Sequence, residues 1–450
     1  MQVFRGARSS NDLTARLRRA ISGGTLAEGT RLPSQRRLAY DLGIAVGTVT
    51  RAYQIAEREG LIVSYVGRGS FVAHPGGGRG VRFVPDRQRI DLSNDRPLET
   101  LNPALAGILR AVAADTGTDA LLGYFDFPGS LRHRTGGVRW LSRFGVTAPA
   151  DDVVVCAGSQ HAIFCSLAAV CRPGDRILAE ELSFHGFRSA AGMLGLQIEA
   201  MPVDAHGIVP DAVEEACRTL SPRLLYFTPS VQNPTNALLN PARRQSLARL
   251  AEKYDLALVE DVIRPVTVPA LPAPVYSLAP ERTFFIGGVS KTLGGGLRIS
   301  YLAVPPRWRE AVVDAVWASL DMAPPLMAEI ATRLVENGAA DRIIEAKARE
   351  AARRRALVER RLGDFDVRTH PASTFAWLAL PEMWTSAAAV TAIAKQGVVV
   401  APADAFWNGR TPPPDALRLC FGAPKTADVL DAALVRIAAT LRQKPMRFVV

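Results

Sequence analysis

GGVSKTLGGGLRISY, residues 287–301, sets one lysine, Lys291, among small residues and places Arg298 seven positions later, behind three consecutive glycines. The 450-residue chain carries 54 Lys plus Arg, of which only Lys253, Lys291, Lys347, Lys395, Lys425 and Lys444 are lysines. Arginine suits solvated surface but cannot condense with an aldehyde; a lysine can, especially where burial or nearby charge favours its neutral form. Glycines let backbone N–H groups approach a phosphate closely. Lys291 with Arg298 therefore points to a Schiff base with a phosphorylated aldehyde. A glycine-rich loop with a surface lysine is the plainer reading of the same stretch.

The preceding chain weighs on that choice. VVVCAGSQHAIFCSLAAV (153–170) reads as a short apolar strand, a Gly158-Ser159-Gln160 turn and an apolar helix, whose free N–H groups can hold a phosphate. LLYFTPSVQNPTNALLN (224–240) is a strand followed by the turn Asn233-Pro234-Thr235-Asn236. DLALVEDVIRP (255–265) is a strand ending in Glu260-Asp261, and TFFIGGVSK (283–291) delivers the lysine. Helical patterns such as PARRQSLARLAEKY (241–254) lie between them. This alternation predicts an α/β domain with a mostly parallel sheet flanked by helices, ligands lying at the C-terminal strand ends.

In the order GSQ, NPTN, ED, SK and GLR, the chain resembles fold-type-I aminotransferases that use pyridoxal 5′-phosphate, over about residues 90–440. The resemblance implies the following roles. Lys291 holds the cofactor as a Schiff base. Asp261 pairs with the pyridinium nitrogen, and Asn233 bonds the ring's phenolic oxygen. Ser159, Gln160 and Arg298 take the phosphate. Phe184 stacks on the ring. Arg418, in ALRLCFG, takes an effector's or substrate's carboxylate. Tyr124 and Gly129, in GYFDFPGS, match a segment that reaches across a dimer interface, and the resemblance counts Tyr124 among the cofactor-binding residues. Taken singly, each has a bland alternative: core packing for Phe184, a turn for Asn233 and Asp261, a structural ion pair for Arg418. Departures stand beside the matches. The family's tyrosine after the ring-pairing aspartate is replaced by Ile263 and Arg264, its Ser or Thr three residues before the lysine is Gly288, and the last residue of its NPTG turn is Asn236. These losses spare cofactor binding more than fast catalysis.

The first 75 residues have another character. Asp12–Ile21 reads as a helix with Leu13, Leu17 and Ile21 on one face. Ser34 can cap a helix running to about Leu42, which Gly43 breaks, and a second helix spans about Gly47–Glu59. LIVSYVGRGSFVA (61–73) reads as a hairpin around Gly67-Arg68-Gly69. Two helices across a glycine turn, then a hairpin, make a winged helix-turn-helix. This part resembles the GntR class of bacterial DNA-binding domains, through GTRLPS (29–34), Arg36 and Arg37, Thr48-Val49, Ala52-Tyr53, Glu59-Gly60-Leu61 and the wing GRGSFV (67–72). The resemblance assigns DNA contact to Arg31, Ser34, Arg36 and Arg37 around the first helix. Thr48, Thr50 and Arg51 serve on the second, and Gly67, Arg68 and Gly69 in the wing. Ala45-Val46 stand where many members carry Ser-Arg, so base reading shifts to Thr48, Thr50 and Arg51 or to DNA shape.

Charge agrees. Residues 1–80 hold twelve Arg, no Lys and five acidic residues, a net +7, against +11 for the whole chain. A basic block of this kind marks a nucleic-acid surface. Five cysteines, odd in number and without metal spacing, read as reduced packing residues, and no metal site is expected. His185 and His206 have no partner at ligand spacing. No apolar run suits a membrane helix and no signal peptide opens the chain, so a cytoplasmic protein without membrane contact is expected.

The boundaries that follow are a winged helix at 1–75, a Gly/Pro/Arg-rich linker at 76–90, and an aminotransferase-like domain at 91–450. The long charged helix GAADRIIEAKAREAARRRALVERRL (338–362), with Ile343, Ala346 and Leu357 facing inward, leads into a small C-terminal α+β part. A winged helix fused to an aminotransferase-like domain resembles the MocR subfamily of GntR regulators. That resemblance implies a homodimeric transcription factor that binds double-stranded operator DNA and pyridoxal 5′-phosphate, with an amine, an amino acid or the cofactor itself as signal. A working aminotransferase is the alternative reading of the same residues.

Overall fold

The computed structural model describes residues 2–4, 6–7, 9–23, 25–26, 30–58, 61–65, 69–72, 89–115, 117–262 and 271–443. Gly67, Arg68, Ile263, Arg264 and residues 76–88 of the expected linker lie outside them. The chain divides into two compact units, one built on residues 1–86, the other on residues 87–409 and 414–450.

In the first unit, α1 (Ser10–Ser22) starts at Ser9, whose hydroxyl accepts from the Asp12 N–H. The α2 helix (Gln35–Leu42) starts at Ser34, whose hydroxyl accepts from the Arg37 N–H at 3.3 Å, and ends at Gly43 in the left-handed conformation, φ 64°. The α3 helix (Val46–Arg58) follows after a three-residue turn. The strands β1 (Ile62–Tyr65) and β2 (Gly69–Val72) pair antiparallel. Residues 30–32 add a third rung, with the Leu32 N–H donating to Ser70 and the Val72 N–H to Thr30. Leu13 and Leu17 of α1, Leu38 of α2, Val49 and Tyr53 of α3, and Ile62 and Val72 of the hairpin are buried together. At roughly 1.5–3 kcal/mol for each large apolar side chain, this core is what orients α2 and α3. The Tyr53 hydroxyl donates to the Pro33 carbonyl at 2.9 Å and fixes α3 against the turn before α2.

A seven-stranded sheet forms the centre of the second unit. Its strands are β3 (Val153–Cys156), β4 (Arg176–Glu180), β5 (Gln197–Met201), β6 (Leu224–Phe227), β7 (Ala257–Val262), β8 (Thr283–Gly288) and β9 (Ser300–Ala303), in the order β3-β9-β8-β7-β6-β4-β5. All neighbours are parallel except β9, which runs antiparallel to β3 and β8. β3, β6, β7, β8 and β9 are buried at every residue, so they are mostly apolar rather than alternating, with Glu260 and Asp261 as the buried charges of β7. The smaller part pairs β10 (Phe375–Ala379) with β11 (Ala416–Cys420) antiparallel.

The long helix α4 (Ala339–Leu362) buries Ala340, Ile344, Lys347, Ala351, Arg354 and Val358. Ile343, Ala346 and Leu357, expected among the inward residues, are half-buried, with Ile343 and Leu357 packed against the rim of the core. The stripe is hard to see in the sequence because it contains two cations, each satisfied by backbone and side-chain oxygens. Lys347 donates to the Pro97 carbonyl at 3.1 Å and to Asn102 Oδ1 at 2.8 Å, and burial lowers its pKa to about 8. Arg354 donates to the carbonyls of Phe421 and Pro424. All five cysteines are buried free thiols.

Candidate functional site

At the edge of the sheet where β3 and β8 end, the backbone is crowded to the limit. After β3, Gly158 takes φ 85° and Ser159 opens the helix Ser159–Val170, whose first turn starts without a side-chain cap. A Cβ on Gly158 would collide with the Arg298 guanidinium, and one on Gly288 with the Ser159 hydroxyl. Arg298, itself left-handed at φ 50°, donates to the Ala157 carbonyl at 3.5 Å. Ser300 opens β9 directly opposite Gly288, with its Oγ 3.5 Å from Ser159 Oγ. Sequence reasoning missed Ser300. Its place two residues beyond Arg298 was a signal, but its register with Gly288 was not. Gln160 donates to the Gly186 carbonyl at 2.7 Å, tying the turn to the loop that carries Phe184.

On the neighbouring strand β7, Asp261 is 1% exposed. The Tyr226 hydroxyl of β6 donates to its Oδ2 at 2.7 Å, while Oδ1 is buried without a hydrogen-bond partner. Burial raises the carboxyl pKa to about 6, against the lowering effect of Tyr226. Phe187 stacks on Tyr226, ring centroids 4.1 Å apart and planes within 8°, so the donor is held rigidly. A second buried acid was not anticipated. Glu180 accepts from the Thr228 N–H and hydroxyl and from Gln232 Nε2, and burial raises its pKa to about 7. It braces the turn that leads to Asn233.

Asn233 is buried and precedes a cis proline. Its Oδ1 accepts from Arg418 Nη1 of β11 at 2.8 Å, and Arg418 Nη2 donates to the Ser93 carbonyl at 2.8 Å. The guanidinium carbon of Arg418 lies 4.5 Å from the Phe406 ring centroid, a cation–π contact, and its Nε is buried and unpartnered. Lys291 follows β8. Its Nζ lies 3.3 Å from Asp95 Oδ2 and also donates to the Asp95 carbonyl. His185, given no role from sequence, stands beside Phe184, with ring centroids 4.7 Å apart. Burial, Arg418, Arg188 and Lys291 together push its imidazolium pKa down, so it is neutral at ordinary pH. Tyr124 is set apart from this group, 89% exposed, with Leu122 beside it 86% exposed.

These residues fit the phosphorylated pyridine aldehyde that the sequence suggests. The glycine cradle with Ser159, Ser300, Arg298 and a helix N-terminus suits a phosphate. The orphaned Asp261 oxygen suits a protonated ring nitrogen, which would remove a cost of about 1–3 kcal/mol for an unpaired buried acceptor. Among the described residues no cluster of metal-ligating groups occurs, and no helix is long and apolar enough to cross a membrane.

In the first unit, Arg31, Arg36 and Arg51 are exposed, and Thr48 is half-buried. Arg37 keeps 72% of its side chain exposed while donating to Asp41 at 3.0 Å. Two expected contact residues have prior engagements. The Ser34 hydroxyl caps α2, and the Thr50 hydroxyl lies 2.8 Å from Gln35 Oε1 and 3.1 Å from the Val46 carbonyl. Gly69 opens β2.

Residues 92–437 match the family described as aminotransferase class I and II, and residues 9–72 match the bacterial regulatory proteins of the gntR family. The uncharacterized HTH-type transcriptional regulator YdeF of Bacillus subtilis is 29% identical over 94% of this chain and 92% of its own length. The probable rhizopine catabolism regulatory protein MocR of Rhizobium meliloti is 28% identical over 66% of this chain and 65% of its own. The HTH-type pyridoxine biosynthesis transcriptional regulator PdxR of Corynebacterium glutamicum is 26% identical over 88% of each. Among solved structures, the kynurenine aminotransferase of Pyrococcus horikoshii superposes with a TM-score of 0.72 at 24% identity, over 79% of this chain and 91% of its own, and so shares the fold.

Proposed function

We propose, for a chain that belongs to the aminotransferase class I and II family and carries a gntR-family domain, a DNA-binding transcriptional regulator that holds pyridoxal 5′-phosphate and answers to a small amine, an amino acid or the cofactor itself. The observation that carries this reading is the orphaned Asp261 carboxylate oxygen on β7, beside the strand β8 that leads to Lys291 and to one wall of the glycine-built phosphate cradle. Bound there, the cofactor supplies an aldehyde that combines reversibly with primary amines. Lys291 provides the protein's own amine. Asp261 holds a proton on the ring nitrogen, with Tyr226 fixing its orientation. Asn233 donates through Nδ2 toward the phenolic oxygen, since its Oδ1 is engaged by Arg418. Ser159, Gln160, Arg298 and, added here, Ser300 orient the phosphate. Phe184 covers the ring, and Arg418 receives a ligand's carboxylate.

The first unit supplies the output. Arg31, Arg36, Arg37 and Arg51 neutralise phosphates of a double-stranded operator, and Thr48 with Arg51 reads base edges. Ser34 and Thr50 position the helices, and the wing at Gly67, Arg68 and Gly69 adds backbone contact. The domain limits are 1–75, 76–90 and 91–450. Homodimerisation is supported by the exposed Leu122–Tyr124 stretch, which a second copy would cover. A cytoplasmic location follows from the DNA-binding role. The Corynebacterium relative, described as a pyridoxine biosynthesis regulator, supports the cofactor itself as one signal.

Aminotransferase turnover is the second reading, favoured by the presence of Lys291 and Asp261 together. One experiment separates the two. Visible absorbance of the loaded protein is titrated with a panel of amines and amino acids while binding to promoter DNA is followed. Spectral change coupled to DNA binding without keto-acid-dependent turnover supports regulation. Efficient turnover without effect on DNA supports the enzyme.

A further inference from the structure

Lys291 and Arg418 share an unexpected neighbour. Both grip residues 90–98, the stretch where the chain enters the second unit. Lys291 Nζ pairs with the Asp95 carboxylate at 3.3 Å and donates to the Asp95 carbonyl. Arg418 Nη2 donates to the Ser93 carbonyl at 2.8 Å. The Asp95 carboxylate is itself held by the Thr374 hydroxyl, which donates to Oδ1 at 3.1 Å, and the Asp95 side chain is 9% exposed. Around these contacts the segment is pinned by its own backbone. The Ile90 and Leu92 N–H groups donate to Gly397 and Val399, and the Leu98 N–H to Gly422.

An ammonium has three donors and can serve the Asp95 carbonyl and carboxylate together. A lysine nitrogen double-bonded to an aldehyde carbon has one hydrogen at most and cannot hold both. We propose that Asp95 is the positioning residue that receives Lys291 whenever the lysine is released from the cofactor, so that residues 90–98 tighten or loosen with the state of Lys291. This rests on the cofactor-binding reading above. Asp95 is not among the site residues that the resemblance implies, and it lies in the stretch with which the second unit begins. A ligand carboxylate on Arg418 would act on the same stretch, because it competes with the Ser93 carbonyl.

The test uses the full chain loaded with pyridoxal 5′-phosphate, and methoxyamine as the probe. Methoxyamine takes the aldehyde carbon as its oxime ether. The carbon–nitrogen double bond to Lys291 is replaced by one to the methoxyamine nitrogen, whose two hydrogens pass to the lysine, and the amine then takes a proton from water. Amide hydrogen exchange over residues 93–98 is followed by mass spectrometry before and after. In the wild type, exchange there slows by about threefold or more on methoxyamine addition, because a local opening becomes costlier. In Asp95→Ala the slowing is lost, and in Asp95→Glu it is partly restored. Equal slowing in Asp95→Ala, or none in the wild type, overturns the proposal. Should Asp95→Ala fold poorly, Asp95→Asn is compared, with reduced slowing expected and undiminished slowing contrary. The starting absorbance band keeps the two readings apart. If the band forms and residues 93–98 do not respond, only the Asp95 role fails; if no band forms, both fail.

Discussion

Ser300 is the register partner of Gly288 across the antiparallel seam of the central sheet, and its hydroxyl lies 3.7 Å from where a side chain on residue 288 would begin. A hydroxyl thus stands on the neighbouring strand, beside the place where the one three residues before the lysine is absent. Ser300→Ala should weaken pyridoxal 5′-phosphate binding by roughly tenfold, the scale of one hydrogen bond to a charged group. Gly288→Ser should not strengthen it, since its Cβ would displace Ser159. Absorbance titration measures both, and an unchanged affinity in Ser300→Ala would remove Ser300 from the site.

Lys291 should be the lysine that borohydride fixes. Peptide mass spectrometry of reduced, loaded protein should find the phosphopyridoxyl group there. Lys291→Ala should lose the visible band and keep its thermal transition within a few degrees, since one truncation at a crevice wall removes little core packing. An adduct on Lys347 instead would move the chemistry to the buried amine of α4.

Asp261 sets a pH dependence. Its cofactor-free folded pKa of about 6 lies above the roughly 3.9 of an unfolded aspartate. A raised acid pKa means that the folded state binds the proton more tightly. Its contribution to stability is greatest below pH 4, falls as pH rises through 6 and is level above. A protonated ring nitrogen offsets that loss. The gain in melting temperature on adding pyridoxal 5′-phosphate should therefore be larger at pH 7 than at pH 5, and Asp261→Asn should flatten the difference. An equal gain at both pH values in the wild type would count against the pairing.

The DNA contacts should separate by salt dependence. Arg36→Ala and Arg51→Ala should each reduce the slope of log affinity against log salt by about 0.9, as one phosphate contact is lost. Thr48→Val should instead change the ranking of promoter sequences. Thr50→Val should act through stability, by about 1 kcal/mol, because its hydroxyl clips α3 to Gln35. Filter binding at several salt concentrations, beside thermal unfolding, distinguishes the three. Unchanged slopes for both arginines would relocate the interface.

Glu329 is the acid-sensitive clasp of the large unit. Burial opposes its charge, yet hydrogen bonds from Arg132 and Arg333 hold its pKa at about 2, and His133 lies 3.2 Å away. A lowered acid pKa stabilises the fold above about pH 4, and this contribution is lost as pH falls toward 2. Glu329→Gln should cost on the order of 2–3 kcal/mol at pH 7, by leaving Arg132 and Arg333 short of their partner. Its deficit against the wild type should shrink as pH is lowered from 5. A deficit independent of pH would mean that packing, not charge, is what Glu329 contributes.

Local signals made much of this structure legible. Ser34 and Gly43 mark the ends of α2 because capping chemistry is short-range, and the buried strands show as unbroken apolar runs. Long-range register is what the sequence conceals. Ser300 looks like one more strand residue until β9 is set against β8, and Asp95 lies 196 positions from Lys291. The inward stripe of α4 is only partly visible because its buried cations, Lys347 and Arg354, look like surface. Thr50 looks available to DNA until Gln35 is seen to claim its hydroxyl.

Asn236, where the family places glycine, keeps the left-handed backbone at φ 61° and adds a side chain whose amide donates to the carbonyls of Arg368 and Phe375 in the smaller part. The turn that carries Asn233 is therefore bolted to the smaller part, as a hinge pinned to its frame would be. A bolted door transmits force without opening. A small ligand then need not act through a gaping and closing cleft, and its arrival could be felt at the threshold, residues 90–98.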